Sequence, residues 1–303
     1  MLGTSAVVAN ELLISCIQPL GEDDAEFAFT AAIPLSTPGI KMLSRRSYEE
    51  HASSEFDYPL SFHFDENDAV VVFEDVLIPW SRVFVLDSPS ALAAQFYQTP
   101  AHVYQNYQCI VRFTVKIRFL LGLARKVADV NGTINIPQVK DMLGALAAKI
   151  SLMDGVVAGM EVRGRHHNGY YIPNNEMLCA AQATAQLMYP QIVDTIRDMC
   201  GGGVIMLPSS VADLDNDETW SLLERSQMSP AVNSIERIKF FKLVWDAIGS
   251  EFGSRHLQYE KFYSGAQFVL NGHNFRNFDW ASATDMVDGF MDTYSHPREK
   301  MHS

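Results

Sequence analysis

A run of three glycines, Gly201, Gly202 and Gly203, is the first feature of this sequence that could serve ligand binding. Glycine adopts positive φ angles without strain, and its missing side chain lets a ligand approach the backbone closely. Capping the end of a helix needs only one such residue. We therefore interpret the run as a turn that contacts a ligand, with a plain helix cap as the alternative.

The sequence offers little for a metal site. No two of its four cysteines form a C-x-x-C pair, so neither a zinc site nor a redox dithiol is expected. Sparse, unpaired cysteines are typical of a reducing compartment, and we expect a cytoplasmic protein. His166 and His167 are adjacent and no carboxylate lies at ligand spacing, so they indicate a surface loop. The cysteines are Cys16, Cys109, Cys179 and Cys200.

The composition predicts a folded protein without polyanionic partners. Of the 303 residues, 48% are hydrophobic and 19% are charged, which suffices for a substantial core. The formal net charge of -13 argues against general binding to nucleic acids or anionic membranes, because both attract cationic proteins. No uninterrupted apolar stretch reaches about 18 residues, so we expect no membrane span.

Residues 1 to about 87 predict β-structure. The polar stretch 44–67 predicts a loop with an edge strand, and turn formers separate the other segments. A complete small barrel needs more strands than this stretch holds. We therefore expect that an N-terminal portion is missing, the alternative being a short genuine N-terminus. The β-prone runs are 7–8, 12–17, 26–33, 69–73 and 76–78.

From about residue 88 the apolar residues recur at helical spacing. Long helices with short connections predict an up-down bundle. The sequence thus predicts an α+β fold, with a partial β-domain over residues 1–87 followed by a four-helix bundle over residues 88–303. The stretch 166–173 is expected to be a loop. The predicted helices are 104–130, 136–165, 175–199 and 233–252, followed by a helical or looped tail.

Several segments in a fixed order resemble the 4-hydroxyphenylacetate 3-monooxygenase family of two-component, flavin-dependent phenol hydroxylases. Together they span residues 1 to about 268. They are MLGTSA at 1–6, AIPLSTPGIK at 32–41, FDENDAVVVFEDVLIPW at 64–80, FLLGLA at 119–124, GGGVIMLPSS at 201–210, and the closing pieces WD, FGSR, YE and FYSG between 245 and 265.

The resemblance implies the fold of acyl-CoA dehydrogenases, in which a helical domain precedes a β-domain and a C-terminal four-helix bundle. In such enzymes a separate NAD(P)H-dependent flavin reductase supplies reduced FAD, which reacts with molecular oxygen. The resulting flavin C4a-hydroperoxide hydroxylates 4-hydroxyphenylacetate or a related phenol next to its hydroxyl group. The resemblance also implies a homodimer or homotetramer, and it favours FAD over FMN.

The resemblance assigns ligand roles to three residues of the β-domain. Thr4 would hydrogen-bond the edge of the isoalloxazine ring, the alternative being an ordinary turn threonine. Cys16 and Ile17 stand where the family places small polar residues beside the substrate. For these two the alternative is plain strand core.

Two further groups would contact the flavin from the bundle. Gly201 and Gly202 would lie near the adenosine part of a neighbouring subunit's flavin. Gln138 would contact flavin across the dimer, the alternative being a solvated helix residue. The arginine that precedes this position in acyl-CoA dehydrogenases has no counterpart in this chain.

The segment Tyr263, Ser264, Gly265 and Ala266 resembles the late flavin-contacting turn of the family. The family usually has Asp where this chain has Ala266, which removes one polar contact. The family's substrate-clamping Arg, Tyr and His belong to its N-terminal part, so no catalytic residue is assigned here.

Two other functions remain as alternatives. A sister family, the 4-hydroxybutyryl-CoA dehydratases, holds a [4Fe–4S] cluster partly through a His and a Cys seven residues apart, and this chain has His102 and Cys109 at that spacing. A non-catalytic bundle fragment that serves only for assembly is the other possibility.

Overall fold

The computed structural model describes residues 2–16, 19–65 and 67–294. Six strands form two antiparallel sheets, with strand orders β1-β5-β4 and β2-β3-β6. These strands are β1 (Leu2–Thr4), β2 (Glu11–Ser15), β3 (Phe29–Pro34), β4 (Ile40–Ser44), β5 (Asp68–Phe73) and β6 (Val83–Leu86).

The two sheets share one apolar layer. Leu12, Ile40 and Phe73 pack against the buried residues of both sheets. Ile14 and Ile33, each 1% exposed, lie on the neighbouring strands β2 and β3, where Ile14 pairs with Ala31 and Ile33 with Leu12. The result is a small sandwich, in which side chains from both sheets fill a common interior.

Long helices build the rest of the chain, and their shared core is its largest apolar cluster. α8 and α9 follow each other closely and together act as the fourth helix of the bundle. The helices are α1 (Tyr48–His51), α2 (Pro59–His63), α3 (Pro89–Tyr97), α4 (Ala101–Val130), α5 (Pro137–Val162), α6 (Asn175–Cys200), α7 (Asp217–Ser226), α8 (Ser234–Ile248), α9 (Glu251–Phe262), α10 (Gln267–Asn277) and α11 (Trp280–Met291).

The bundle helices are close to their predicted bounds, and the structure corrects the connections. The expected loop after α5 is a hairpin of β7 (Arg165–His167) and β8 (Tyr170–Ile172). Asn168 and Gly169 both have positive φ, 49° and 82°, which is the backbone of a tight hairpin turn. The predicted fourth helix stops at Ile248 because the chain breaks at Gly249 before it resumes as α9.

The β-domain differs from expectation in four places. Residues 7–8 belong to a 3₁₀ turn instead of a strand, and 76–78 lie outside the strands. The polar stretch 44–67 contains α1 and α2, and β6 was not predicted. Each error concerns a short element, whose apolar residues are too few to reveal a period.

Within the described residues, α5 is the one helix long and apolar enough to cross a membrane by length and composition. The same properties suit a helix of a bundle, and α5 packs against α4 and α6.

The β-domain is fixed to the bundle through the carboxylate of Asp246, which is fully buried. It accepts hydrogen bonds from the backbone N–H groups of Leu60 and Ser61, both at 2.7 Å. The hydroxyls of Ser61 and Ser250 donate to it as well, at 2.7 and 2.8 Å. The Asp246 carboxylate of α8 therefore accepts hydrogen bonds from N–H groups in the first turn of α2. It also binds Ser250, in the break between α8 and α9.

A buried ion pair between Lys242 of α8 and Asp57 supports the same contact. Lys242 Nζ lies 2.9 Å from Asp57 Oδ1, and the two side chains are 8% and 0% exposed. Burial alone would raise the pKa of Asp57, but hydrogen bonds from Lys242, Ser54 and the backbone of Val211 outweigh it and hold that pKa below its usual value.

The buried carboxylate of Glu260 joins α9 to α4. Its side chain is 2% exposed and lies against Arg112, with one bond of 3.2 Å, and against Lys116 Nζ at 2.5 Å. Burial opposes ionisation of Glu260, yet the two cations lower its pKa. Nearby, burial and the charge of Lys116 lower the pKa of His256 to about 3, so its imidazole is neutral. Arg255, also on α9, contacts Asp68 of β5.

Replacing Asp246 should loosen the joint between the layers. In Asp246→Asn an amide group would face two backbone N–H donors, so we expect a loss of about 2–4 kcal/mol in the free energy of unfolding. Urea titration monitored by circular dichroism measures it. The control is Asp154→Asn, which breaks an exposed ion pair with Arg118 and should cost less than about 1 kcal/mol. Equal effects of the two substitutions would contradict the assigned role.

The contribution of Glu260 should depend on pH. Because its pKa in the folded protein lies below the ordinary 4.5, its stabilisation is fully present above 4.5 and is lost as the pH falls through the lowered value. The difference in Tm between the wild type and Glu260→Gln should therefore be large at pH 7 and shrink below 4.5. Glu74→Gln, at an exposed ion pair, is the control. If the Tm difference between the wild type and Glu260→Gln stayed constant down to pH 3, the proposed ionic role of Glu260 would be wrong.

Candidate functional site

A cavity of about 440 Å³ lies where β2 meets α3 and α4. Cys16 follows β2 directly and lines this cavity. Gln95 of α3 donates a 2.6 Å hydrogen bond to Ser15 Oγ, and this bond fixes the end of β2 against the helix. The lining is mostly apolar and aromatic, and His102 and Gln105 are its polar members. It consists of Cys16, Pro19, Leu20, Pro89, Leu92, Ala93, Phe96, Tyr97, His102 and Gln105.

The turn of residues 263–266 is held by side chains of two bundle helices. Gln108 Nε2 donates to the hydroxyl of Tyr263 at 2.9 Å, and Cys109 Sγ lies 3.9 Å from Ser264 Oγ. From α6, Gln186 Nε2 donates to the carbonyl of Gly265 at 2.6 Å.

Gly265 and Ala266 complete this turn. Gly265 has a φ of 105°, a conformation that favours glycine, and the next residue, Ala266, begins α10 as its N-cap. All four predicted residues thus form one anchored unit.

The cavity and the turn are neighbours because α4 carries contacts to both. Gln105 lines the cavity, and Gln108, one helical turn later, binds Tyr263. The structure therefore brings Cys16 and the turn 263–266 to the same end of α4. Ile17, the second predicted substrate residue, lies outside the described residues.

Thr4 is joined to this region through the sheet. It is exposed at the end of β1 and pairs with Asp68 of β5. Asp68 in turn contacts Arg255, on the helix that leads into the turn 263–266. The sheet edge at Thr4 therefore packs toward the bundle.

The remaining predicted residues lie at the opposite end of the bundle. Asn131, just after α4, donates to the carbonyl of Met199 near the end of α6 at 3.4 Å, which places Gly201 and Gly202 beside it. The exposed Gln138 opens α5 at this same end. At 1.5 Å per residue, the two ends of α4 (Ala101–Val130) lie roughly 45 Å apart. The structure does not bring these three residues together with the turn 263–266.

Gly201 has the geometry of a helix cap. Its φ is 53° and its N–H donates to carbonyls of the last turn of α6. The expectation that the glycine run contacts a ligand stays a prediction.

His102 and Cys109 both lie on α4, and each has a perturbed pKa. Burial and then the nearby His273 lower the pKa of His102, whose ring stacks on that of His273 at 5.8 Å. Burial raises the pKa of Cys109. Among residues 2–16, 19–65 and 67–294 there is no group of three or more His, Cys, Asp or Glu side chains that could hold a metal ion. His166 and His167 lie in the β7–β8 hairpin.

Two lining residues of the cavity and one residue that holds the turn 263–266 were missed by sequence reasoning. Tyr97, Gln105 and Gln186 carry no motif, since their roles depend on how α3, α6 and the turn pack. A weak signal existed for Gln186, which is 4% exposed in a helix whose other buried positions are mainly apolar.

Two family models and a curated relative match this chain. A family model described as 4-hydroxyphenylacetate 3-hydroxylase C terminal matches residues 92–292, and the corresponding N terminal model matches residues 1–85. The 4-hydroxyphenylacetate 3-monooxygenase oxygenase component of Pseudomonas aeruginosa is 37% identical over 81% of this chain and 48% of its own length. The chain thus spans about half the length of this curated relative.

Solved structures agree with the fold. A crystal structure of the oxygenase component of 4-hydroxyphenylacetate 3-monooxygenase, complexed with FAD and 4-hydroxyphenylacetate, matches with a TM-score of 0.90 and 26% identity. The match covers 97% of this chain and 61% of that one. A 4-hydroxybutyryl-CoA dehydratase from N. maritimus shares the fold at a TM-score of 0.85 and 17% identity, covering 97% of this chain and 59% of that one.

These matches confirm the predicted acyl-CoA dehydrogenase-like fold. They also agree with the order of segments read from the sequence, because both parts of the family are matched in sequence order. The chain belongs to the 4-hydroxyphenylacetate 3-hydroxylase family.

Proposed function

We propose that this chain forms the β-domain and bundle of the oxygenase component of a two-component phenol monooxygenase, which hydroxylates 4-hydroxyphenylacetate or a related phenol next to its hydroxyl group. One observation carries the proposal: the aromatic-lined cavity at Cys16 and the anchored turn 263–266 both contact the same end of α4, through Gln105 and Gln108. A relative with this fold binds both FAD and 4-hydroxyphenylacetate.

The residues at this end of the bundle fit a flavin. Tyr263, Ser264, Gly265 and Ala266 form a fixed backbone turn that could line one edge of the ring. Thr4 pairs with Asp68, which contacts Arg255 on α9, the helix that precedes this turn. Reduced FAD, when bound, supplies the oxygen-activating chemistry. The chain's own residues would hold the ring and shield it from water.

The cavity at Cys16 suits the phenol. Its volume of about 440 Å³ falls in the range of small-molecule pockets, and its lining is largely apolar. Phe96 and Tyr97 offer aromatic surface for the substrate ring. Gln105 and the neutral imidazole of His102 are the polar groups available to orient the phenol hydroxyl.

Association of subunits would place Gln138, Gly201 and Gly202 near a flavin. They lie at the far end of α4 from the turn 263–266, so each would contact the cofactor of a neighbouring subunit. The outward face of α5 supports association, since Leu152 and Val162 are 58% and 82% exposed. We therefore infer a homodimer or homotetramer.

The proposed reaction requires two further partners. Reduced FAD would come from a separate NAD(P)H-dependent flavin reductase, and the second substrate would be molecular oxygen. All four cysteines are free thiols, which fits the reducing cytoplasm as the location.

Flavin affinity should depend on the backbone at Gly265. An added Cβ there meets no neighbour within 4 Å, so Gly265→Ala introduces backbone strain without a clash. We expect reduced FAD to bind at least about threefold more weakly, because a left-handed residue is costly for alanine. Anaerobic fluorescence titration of the full chain measures the affinity.

The control is Gly169→Ala in the β7–β8 hairpin. Gly169 also has positive φ and open space around its Cβ, but it lies outside the turn. Equal flavin affinity of the two variants would refute the role of the turn. If the wild-type chain binds no reduced FAD at all, the proposed cofactor role of this chain fails.

Association should depend on the apolar face of α5. The double substitution Leu152→Glu with Val162→Glu places charges on that face, and we expect the assembly to dissociate toward monomers in size-exclusion chromatography with light scattering. Leu222→Glu on α7, at a residue 56% exposed, is the matched control and should leave the mass unchanged. A wild-type chain that is monomeric at all concentrations would overturn this inference.

A further inference from the structure

Gln186 is a buried amide whose side chain contacts the turn 263–266. It lies in the middle of α6, is 4% exposed, and its Nε2 donates to the carbonyl of Gly265 at 2.6 Å. The two residues are 79 positions apart in the chain. Burying a glutamine costs free energy unless it is hydrogen-bonded, so the short bond strongly favours this one orientation of the Gly265 carbonyl.

The orientation of that carbonyl determines where the next N–H group points. In a trans peptide, the C=O of Gly265 and the N–H of Ala266 point in opposite directions. Because the carbonyl faces α6, the Ala266 N–H faces away from the bundle core. Within residues 2–16, 19–65 and 67–294, no hydrogen-bond acceptor is recorded for this N–H.

The side chain of Ala266 cannot substitute for this group. Alanine offers no polar atom where the family resemblance suggests an aspartate. Gly265 tolerates the required φ of 105° without strain. The backbone N–H is therefore the polar group that residue 266 can present to a ligand.

We propose that Gln186 is a positioning residue of the cofactor turn, which holds the Gly265–Ala266 peptide so that the Ala266 N–H donates to an acceptor atom of the flavin. This inference rests on the proposed function and adds to it the residue that orients the turn. Gln186 itself acts from behind the turn, through its bond to Gly265.

The test compares Gln186→Met with Gln182→Met. Both replace an amide by an unbranched side chain of similar size. Gln182 lies one turn earlier on α6, is 3% exposed, and makes none of the hydrogen bonds recorded for the turn. Three properties are measured on the full chain: thermal unfolding, the dissociation constant of reduced FAD, and amide hydrogen exchange of residues 263–270 without flavin.

Gln186→Met should weaken FAD binding about three- to tenfold and speed exchange in 263–270, because the peptide is released to rotate. Gln182→Met should change neither, although both variants are expected to melt at a similar temperature. Unchanged exchange and affinity in Gln186→Met would overturn the proposal.

Failure of the proposed function gives a different result. If no variant and no wild-type chain binds flavin, the cofactor assignment falls. The hydrogen-exchange comparison then still decides whether Gln186 orders the turn.

Discussion

The buried carboxylate of Asp246 determines how the β-domain sits on the helices. Four donors converge on it, two of them backbone N–H groups at the start of α2. A charge that is fully removed from water is tolerable only with such complete hydrogen bonding. The same carboxylate spans the break between α8 and α9, so the course of the fourth bundle helix and the docking of the β-domain depend on one group.

The proposed site follows from that docking. With the β-domain in place, the end of β2 reaches α3, where Gln95 binds Ser15, and the cavity at Cys16 forms between the layers. α4 then connects this cavity to the turn 263–266. Its Gln105 lines the cavity, and its Gln108, about one helical turn later, binds Tyr263. The glycine run after α6 and Gln138 of α5 lie near the far end of α4, away from the turn 263–266.

Among the described residues, the lining of the cavity at Cys16 contains aromatic side chains and no Lys, Arg, Asp or Glu. The chain carries a formal net charge of -13, and on α4 the cations Arg112 and Lys116 both contact the buried carboxylate of Glu260. Burial keeps the imidazoles of His102 and His256 uncharged at neutral pH. A cavity with aromatic walls and few charges suits a phenol and the ring system of a flavin.

The sequence alone determined that a β-domain precedes the helices, the first three bundle helices and the family, because helical periodicity, glycine and proline breaks and motif order are local properties. Its Asn168-Gly169 pair is typical of a tight hairpin turn, although the stretch 166–173 was predicted as a loop. Only the tertiary structure decided that Gln186 meets Gly265 and that Asp246 meets Ser61, 79 and 185 residues apart. Such contacts depend on how distant segments pack, and no local pattern records which helix ends will meet.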